Sequence, residues 1–323
     1  MSSVCELWFF MMMIRSYEPG ILDFIQYYMK THTFKTKQEL KDAVNMWCKN
    51  RQLALEKYGH ISYWDVSQIT DMSWMFYGAK EFNQDIGDWD VSSGTNFHAM
   101  FLCYGNSIFN KDLGDWDVSS GTSFDSMFEG ATQFNSDLGD WDVSSGTNFG
   151  EMFADTYSFQ QNLSNWNVSN GIYFNSMFRD AVLFNGDISL WDVSNGSDFG
   201  AMFEGATQFN SDLGDWDVSN GIYFNSMFSI GSFNSDISSW DVSSGTYFTY
   251  MFAANNSFNQ DIQSWDVSNA TSTRGMFLYA DSFDQDLSLW NLNELIRPQN
   301  MFLNADAMLS EGWSATPTTG DFL

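Results

Sequence analysis

Cysteine is scarce in this chain. Cys5, Cys48 and Cys103 are three residues in 323, too few and too scattered for a disulfide framework, and they say little about redox compartment. Long apolar runs are missing too. None reaches the length of a membrane span. The run at residues 7–14 follows Glu6 rather than a basic region, so it reads as a packed segment and not as a signal peptide. Histidine is limited to His32, His60 and His98, and no Gly-rich phosphate loop is present. A hydrolytic or metal site needs unlike groups that converge, whereas here the same groups recur unit after unit. The chain is therefore expected not to be an enzyme and to need no cofactor.

Positive charge is the other deficit. Residues 61–323 carry five Lys or Arg against 35 Asp or Glu, so almost the whole net charge of −28 lies there. Such a surface repels phosphate backbones, which excludes nucleic acid as a partner, and it attracts cations or basic proteins.

What fills the chain instead is a repeat. A signature tryptophan of WDVS type stands at Trp64, Trp89, Trp116, Trp141, Trp166, Trp191, Trp216, Trp240, Trp265 and Trp290. The steps are 25, 27, 25, 25, 25, 25, 24, 25 and 25 residues. Positions below are counted from that tryptophan. A Met-Phe pair sits at +11 and +12 of every unit, and a Phe sits at −7 from Trp89 onward. Length varies at residues 102–108 and 229–232, between the Met-Phe pair and the next Phe, which marks a surface loop.

Within a unit, Trp at 0 and Val at +2 are expected on one face of a short strand, because side chains alternate there. Phe at +8, Met at +11, Phe at +12 and Ala at +15 follow i, i+3, i+4, i+7, as in Phe124, Met127, Phe128 and Ala131. That spacing predicts a short helix or 3-10 segment, with Thr at +6 placed as its cap. Neither element is stable alone, so each unit must stack on its neighbours. At a strand spacing of ~4.8 Å the ten units would form a rod about 45–50 Å long. Asn83, Asn110, Asn135, Asn185, Asn210, Asn234 and Asn259 form a further expected column, buried, satisfying loop backbone.

The sharpest candidate for chemistry is the acidic ladder at +1: Asp65, Asp90, Asp117, Asp142, Asp192, Asp217, Asp241 and Asp266. Carboxylates stacked ~4.8 Å apart repel by roughly 1 kcal/mol per pair at water's dielectric constant. Either hydrogen bonds from the adjacent Ser and turn amides, or a basic partner, or bound Ca2+ would offset that repulsion. The ladder at −4, from Asp85 to Asp286, reads as a turn former.

At the ends, Thr36-Lys37-Gln38-Glu39 is a capping box. It opens an amphipathic helix with Leu40, Ala43, Val44, Trp47 and Cys48 on one face, ending near Gly59. A second short helix is expected at residues 21–29, and a mobile tail at residues 309–323.

WDVSQITDMSWMFYGAKEFNQDI, residues 64–86, resembles the BspA-like leucine-rich repeat family. It is more closely similar to the branch first catalogued as a repeat of unknown function in mycoplasma lipoproteins. The resemblance covers residues 61 to about 308. It implies a leucine-rich-repeat-like solenoid, found on bacterial surface proteins and also in protists and large viruses, and associated with adhesion and protein contacts. Coils two to eight carry Phe where the family usually has Met at +8, and Cys5 has no hydrophobic region before it, as a lipoprotein signal would require.

Residue pattern and resemblance together predict an α/β solenoid of about ten 25-residue coils. Short parallel strands would line one face and short helical segments the other, behind a helical cap at residues 1–60. Residues 61–308 would be the array. The expected function is non-enzymatic recognition of a basic protein or cell-surface partner by the acidic face. The alternative is a structural spacer stabilised by divalent cations.

Overall fold

The computed structural model describes residues 29–292 and 298–318. The expected packed segment at residues 7–14, Cys5 and nearly all of the helix expected at residues 21–29 lie outside them.

The coils do stack in register. All ten signature indoles are 3% exposed or less, and Val91, Val118 and Val143 are as deeply buried. Neighbouring indoles lie nearly parallel, with ring centroids 6.5 Å apart and 4° between planes for Trp116 and Trp141. The Phe residues at +8 form a second stack, as in Phe124 and Phe149 at 5.6 Å. Those at +12 form a third, as in Phe128 and Phe153 at 5.7 Å. Those at −7 form a fourth, as in Phe134 and Phe159 at 6.2 Å. Within a unit the third and fourth stacks touch, with Phe128 and Phe134 centroids 4.0 Å apart. These rings give each coil its stability through burial against the next.

Among the described residues the coils hold neither the strands nor the helices expected of them, and the α/β solenoid of strands and helices is corrected accordingly. Among the described residues the helices are α1 (Lys37–Lys49), α2 (Arg51–Tyr58) and α3 (Asp306–Ser310), with one 3-10 turn at Ile61–Tyr63. All lie outside or at the ends of the array. No extended strand forms among the described residues. Parallel pairing is reduced to single-residue bridges: one column at +7, from Asp71 and Asn96 to Tyr247 and Ser272, and one bridge between Thr33 and Asp65 at the cap.

The reason lies at position +10. Its φ is positive in every coil, from Trp74 at 63° through Ser126 at 54° to Asn300 at 57°. A left-handed residue ends a helix. Position +14 repeats the event in nearly every coil, as at Gly130 and Asp155. The segment is thus two successive tight turns, and its amides point alternately outward along the stack and back into their own coil. Phe149, Glu151, Phe153 and Asp155 donate to carbonyls of the next coil at 2.7–2.9 Å, whereas Met152, Ala154 and Thr156 donate three residues back. Every second amide therefore depends on a neighbouring coil, which completes the backbone's hydrogen-bond accounting. Two turns with a left-handed residue between them bring positions +8, +11, +12 and +15 inward just as a helix would.

The Trp–Val segment likewise turns instead of extending. Gly94 N–H donates to Val91 O at 2.7 Å, and the same bond recurs in later coils. A Cβ on Gly146 would lie 2.4 Å from Cζ of Phe149. Position +5 is Gly in every described coil with Phe at +8. Where it is Ile69 or Ala270, position +8 is Met72 or Thr273. The Thr at +6 caps no helix: Thr95 Oγ1 donates to Thr70 O at 3.2 Å, one coil back. The Asn column exists but lies at the surface, where each side-chain oxygen accepts the next coil's amide, as from Asn135 N to Asn110 Oδ1 at 2.9 Å.

Both ends are closed. Thr36 caps α1 by accepting from Glu39 N at 3.2 Å. Asn50 then divides the expected single helix by capping α2, accepting from Leu53 N at 3.2 Å. Leu40, Ala43, Val44 and Trp47 face inward, and Cys48 is exposed. Phe34 and Trp47 cover the outer face of Trp64, with centroids at 5.0 and 5.8 Å. Lys41 Nζ donates to Met75 O at 3.0 Å, an acceptor that a preceding coil would otherwise serve. At the other end Phe302 N donates to Ala315 O at 3.1 Å and Asn300 N to Thr316 Oγ1 at 3.0 Å. The described part of the segment expected as a tail thus fills the place of an eleventh coil.

Candidate interaction face

Inward positions of the repeat are nearly invariant along the array, and their chemistry is consumed by packing. Outward positions fall on two sides with different character.

One side carries the +1 ladder. The carboxylates of Asp90, Asp117, Asp142, Asp192, Asp217, Asp241 and Asp266 are exposed, and Asp65 is half-buried against the cap. Each accepts the amide of the Ser two residues on, at 3.0–3.1 Å. At Asp142, Asp192 and Asp241 the Ser hydroxyl and then its amide hold the carboxyl below the ordinary range. At Asp266 the neighbouring Asp241 pushes upward, and the bonds from Ser268 outweigh it. The carboxylates at −4 do the same one turn earlier, as where Gly139 N donates to Asp137 Oδ1 at 3.0 Å. A cleft lined by Asp88, Asp90, Asp115 and Asp117 opens on this side. Among the described residues no group of three or more His, Cys, Asp or Glu side chains is placed to hold a metal ion.

The other side is the outward half of the double turn, positions +6, +7, +9, +10, +13 and +14. Its residues differ from coil to coil. Near the cap, His98 meets Trp74 edge-on at 4.9 Å, and His98 Nδ1 lies 2.7 Å from Asp125 Oδ2. Ser73 occupies the same +9 position one coil before His98, and its Oγ accepts from Lys37 Nζ. In the middle of the array Arg179 lies 3.2 Å from Asp155 Oδ2 and 3.8 Å from Glu129 Oε1. Burial pushes the carboxyls of Glu129, Asp180 and Glu204 up, and neighbouring carboxylates push them further. Beyond them come Ile172, Tyr173, Ile222, Tyr223 and Tyr247, all exposed.

The second side went unread in the sequence because its residues do not repeat. Their signal was the contrast itself: unlike residues at fixed offsets inside an otherwise constant unit. A groove of about 630 Å³ between α1 and the first coil, lined by Trp47, Cys48, Lys49, Arg51, Phe76 and Lys80, is the basic counterpart at the cap. No helix among the described residues is long and apolar enough to cross a membrane.

No curated protein and no solved structure matches the chain. One family does, over residues 41–164, 137–231 and 225–314, which together span most of the sequence. By that coverage and by the ten-unit stack behind it, the chain belongs to the repeat family described as Mycoplasma protein of unknown function, DUF285.

Proposed function

We propose that the chain is a non-enzymatic recognition scaffold whose double-turn face binds a basic protein or cell-surface partner. One observation carries this reading. Side-chain variety is concentrated at the outward positions +6 to +14, while the core and the +1 side repeat. A scaffold alone has no use for that division, whereas a binding face on a rigid repeat requires it. The charge of the array selects a basic partner. The +1 aspartates are committed to their own turns, so the binding role moves from that ladder to the other side. A place on a cell surface, as in the BspA-like repeat proteins that the WDVS and FNxDI elements resemble, belongs to the same reading.

The alternative is a spacer stabilised by divalent cations, to which the cleft at Asp88, Asp90, Asp115 and Asp117 offers negative charge but no set of three side chains placed around an ion. Titration with oligolysine separates the two. Binding that weakens with salt and with neutralisation of Glu151, Asp155, Asp180 and Glu204 supports the recognition face. Absence of binding, together with a rise in Tm on adding millimolar Ca2+, selects the spacer.

A further inference from the structure

Among the described residues two coils depart from the rule at position +6. Elsewhere that residue usually carries a hydroxyl, and Oγ1 of Thr95, Thr122, Thr147 and Thr271 each donates to the +6 carbonyl one coil earlier at 3.0–3.2 Å. Ile172 and Ile222 lack that donor, and each leaves its aliphatic chain 37% exposed. The residues that follow are Tyr173 and Tyr223, 47% and 40% exposed, where Thr95 and Thr147 are followed by Asn96 and Asn148. Tyr173, Asp198, Tyr223 and Tyr247 form one bridge column, and the rings of Tyr223 and Tyr247 stack at 5.0 Å.

A separate observation falls on the same segment of coil seven. Ile230 has φ 56° and is 56% exposed. A β-branched residue in the left-handed region is strained, and the equivalent residues Gly78, Gly130 and Gly205 meet the same demand without that strain. A forgone hydrogen bond, exposed apolar surface and a strained Ile all work against the isolated array. A contact made by this strip would compensate them.

We propose that Ile172, Tyr173, Ile222, Tyr223 and Tyr247, with the exposed Ile230 further along the same face, form the anchoring strip for a basic protein segment that carries an aliphatic or aromatic side chain. The proposal rests on the recognition reading above and names the residues that give it selectivity. Asp198 stands within the strip, and the surrounding array is acidic, so cationic residues flanking the anchor are attracted. A second copy of this chain docked array against array would bring the same negative charge to the strip and is disfavoured as the occupant.

The test replaces both Ile-Tyr pairs by the Thr-Asn pair that coils two and four already carry: I172T, Y173N, I222T and Y223N in the full chain. The probes are a lysine-glycine dodecapeptide and the same peptide with two leucines. The wild-type chain should bind the leucine peptide about tenfold more tightly than the plain one, the effect of burying one such side chain. The variant should bind the plain peptide as before and lose that advantage. If the variant keeps the advantage, the strip is not the anchor, and the acidic-face reading stands without it. If neither peptide binds the wild-type chain at low salt, both proposals fail.

Discussion

The indole Nε1 of Trp141 donates to the carbonyl oxygen of Leu113, 2.9 Å away and 28 residues earlier in the chain. The same bond ties every later signature tryptophan to the coil before it, up to Trp290 and Ile262 at 3.0 Å. The indole both fills the core and supplies a donor to a buried carbonyl. Trp141→Phe keeps most of the ring but leaves Leu113 O with the Trp116 N–H, at 3.1 Å, as its remaining donor, and should lower stability by about 0.5–1.5 kcal/mol. Trp141→Ala should cost about 3–5 kcal/mol. Urea unfolding of both variants measures the difference, and a Trp141→Phe variant as stable as the wild-type chain would show that the bond contributes nothing beyond packing.

The contact between Gly146 and Phe149 predicts a compensating pair. Gly146→Ala places a methyl group 2.4 Å from Phe149 Cζ and should destabilise by roughly 1–3 kcal/mol. Adding Phe149→Met should recover part of that loss, as Ile69 coexists with Met72 in the first coil. A double-mutant cycle reads the coupling, and a coupling energy near zero would contradict the geometry.

Two sets of carboxyls should give opposite pH dependence. Ser144 holds the carboxyl of Asp142 below its ordinary value. The stability it contributes is therefore present above the unfolded value and disappears as pH falls through the folded one. Asp142→Ala should destabilise at neutral pH, while Asp142→Asn should be nearly silent, since Asn167 already holds Ser169 in the same way. Burial raises Glu204 above its ordinary value. The unfolded state then releases a proton that the fold retains, so stability falls as pH rises through that range. Glu204→Gln should raise Tm near pH 7 and lose the gain below about pH 4, where the carboxyl is protonated in both states. Differential scanning calorimetry at several pH values checks both signs. A Glu204→Gln variant with lower Tm at neutral pH would contradict the assignment.

Lys41 predicts how the array is closed at its start. Its ammonium serves the carbonyls of Trp74 and Met75, and burial pulls its pKa down. Lys41→Met leaves both acceptors without that partner and should cost about 1–3 kcal/mol. Native-state hydrogen exchange should show the loss concentrated in the first two coils. A uniform loss along the array would mean that Lys41 plays no capping part.

Much of this fold was legible in the sequence. The ten-fold period, the inward columns of Trp, Val, Phe and Met, and the start of α1 at Thr36 follow from spacing alone. The choice between helix and turn did not. Phe124, Met127, Phe128 and Ala131 keep a helical rhythm, yet Ser126 and Gly130 between them adopt positive φ. A pattern of inward residues cannot separate the two backbones, and only the glycines at +14 hinted at the second. The strand expected at Trp141 and Val143 failed for a similar reason: two inward residues spaced by one also suit a tight turn closed by Gly146. The aspartates at +1 stood out because they repeat, and repetition marked a turn. Residues such as Arg179 and Ile230 escaped notice because nothing repeats at them.

Stacking of interdependent coils is tested most directly at the indole N–H groups. With 15N-labelled tryptophan, the signature indoles of Trp64 through Trp290 should exchange with solvent slowly and together, at the rate of global opening. Trp74, 39% exposed, should exchange at once. If the signature indoles exchange as fast as Trp74, or each at its own unrelated rate, the coils do not hold one another in place.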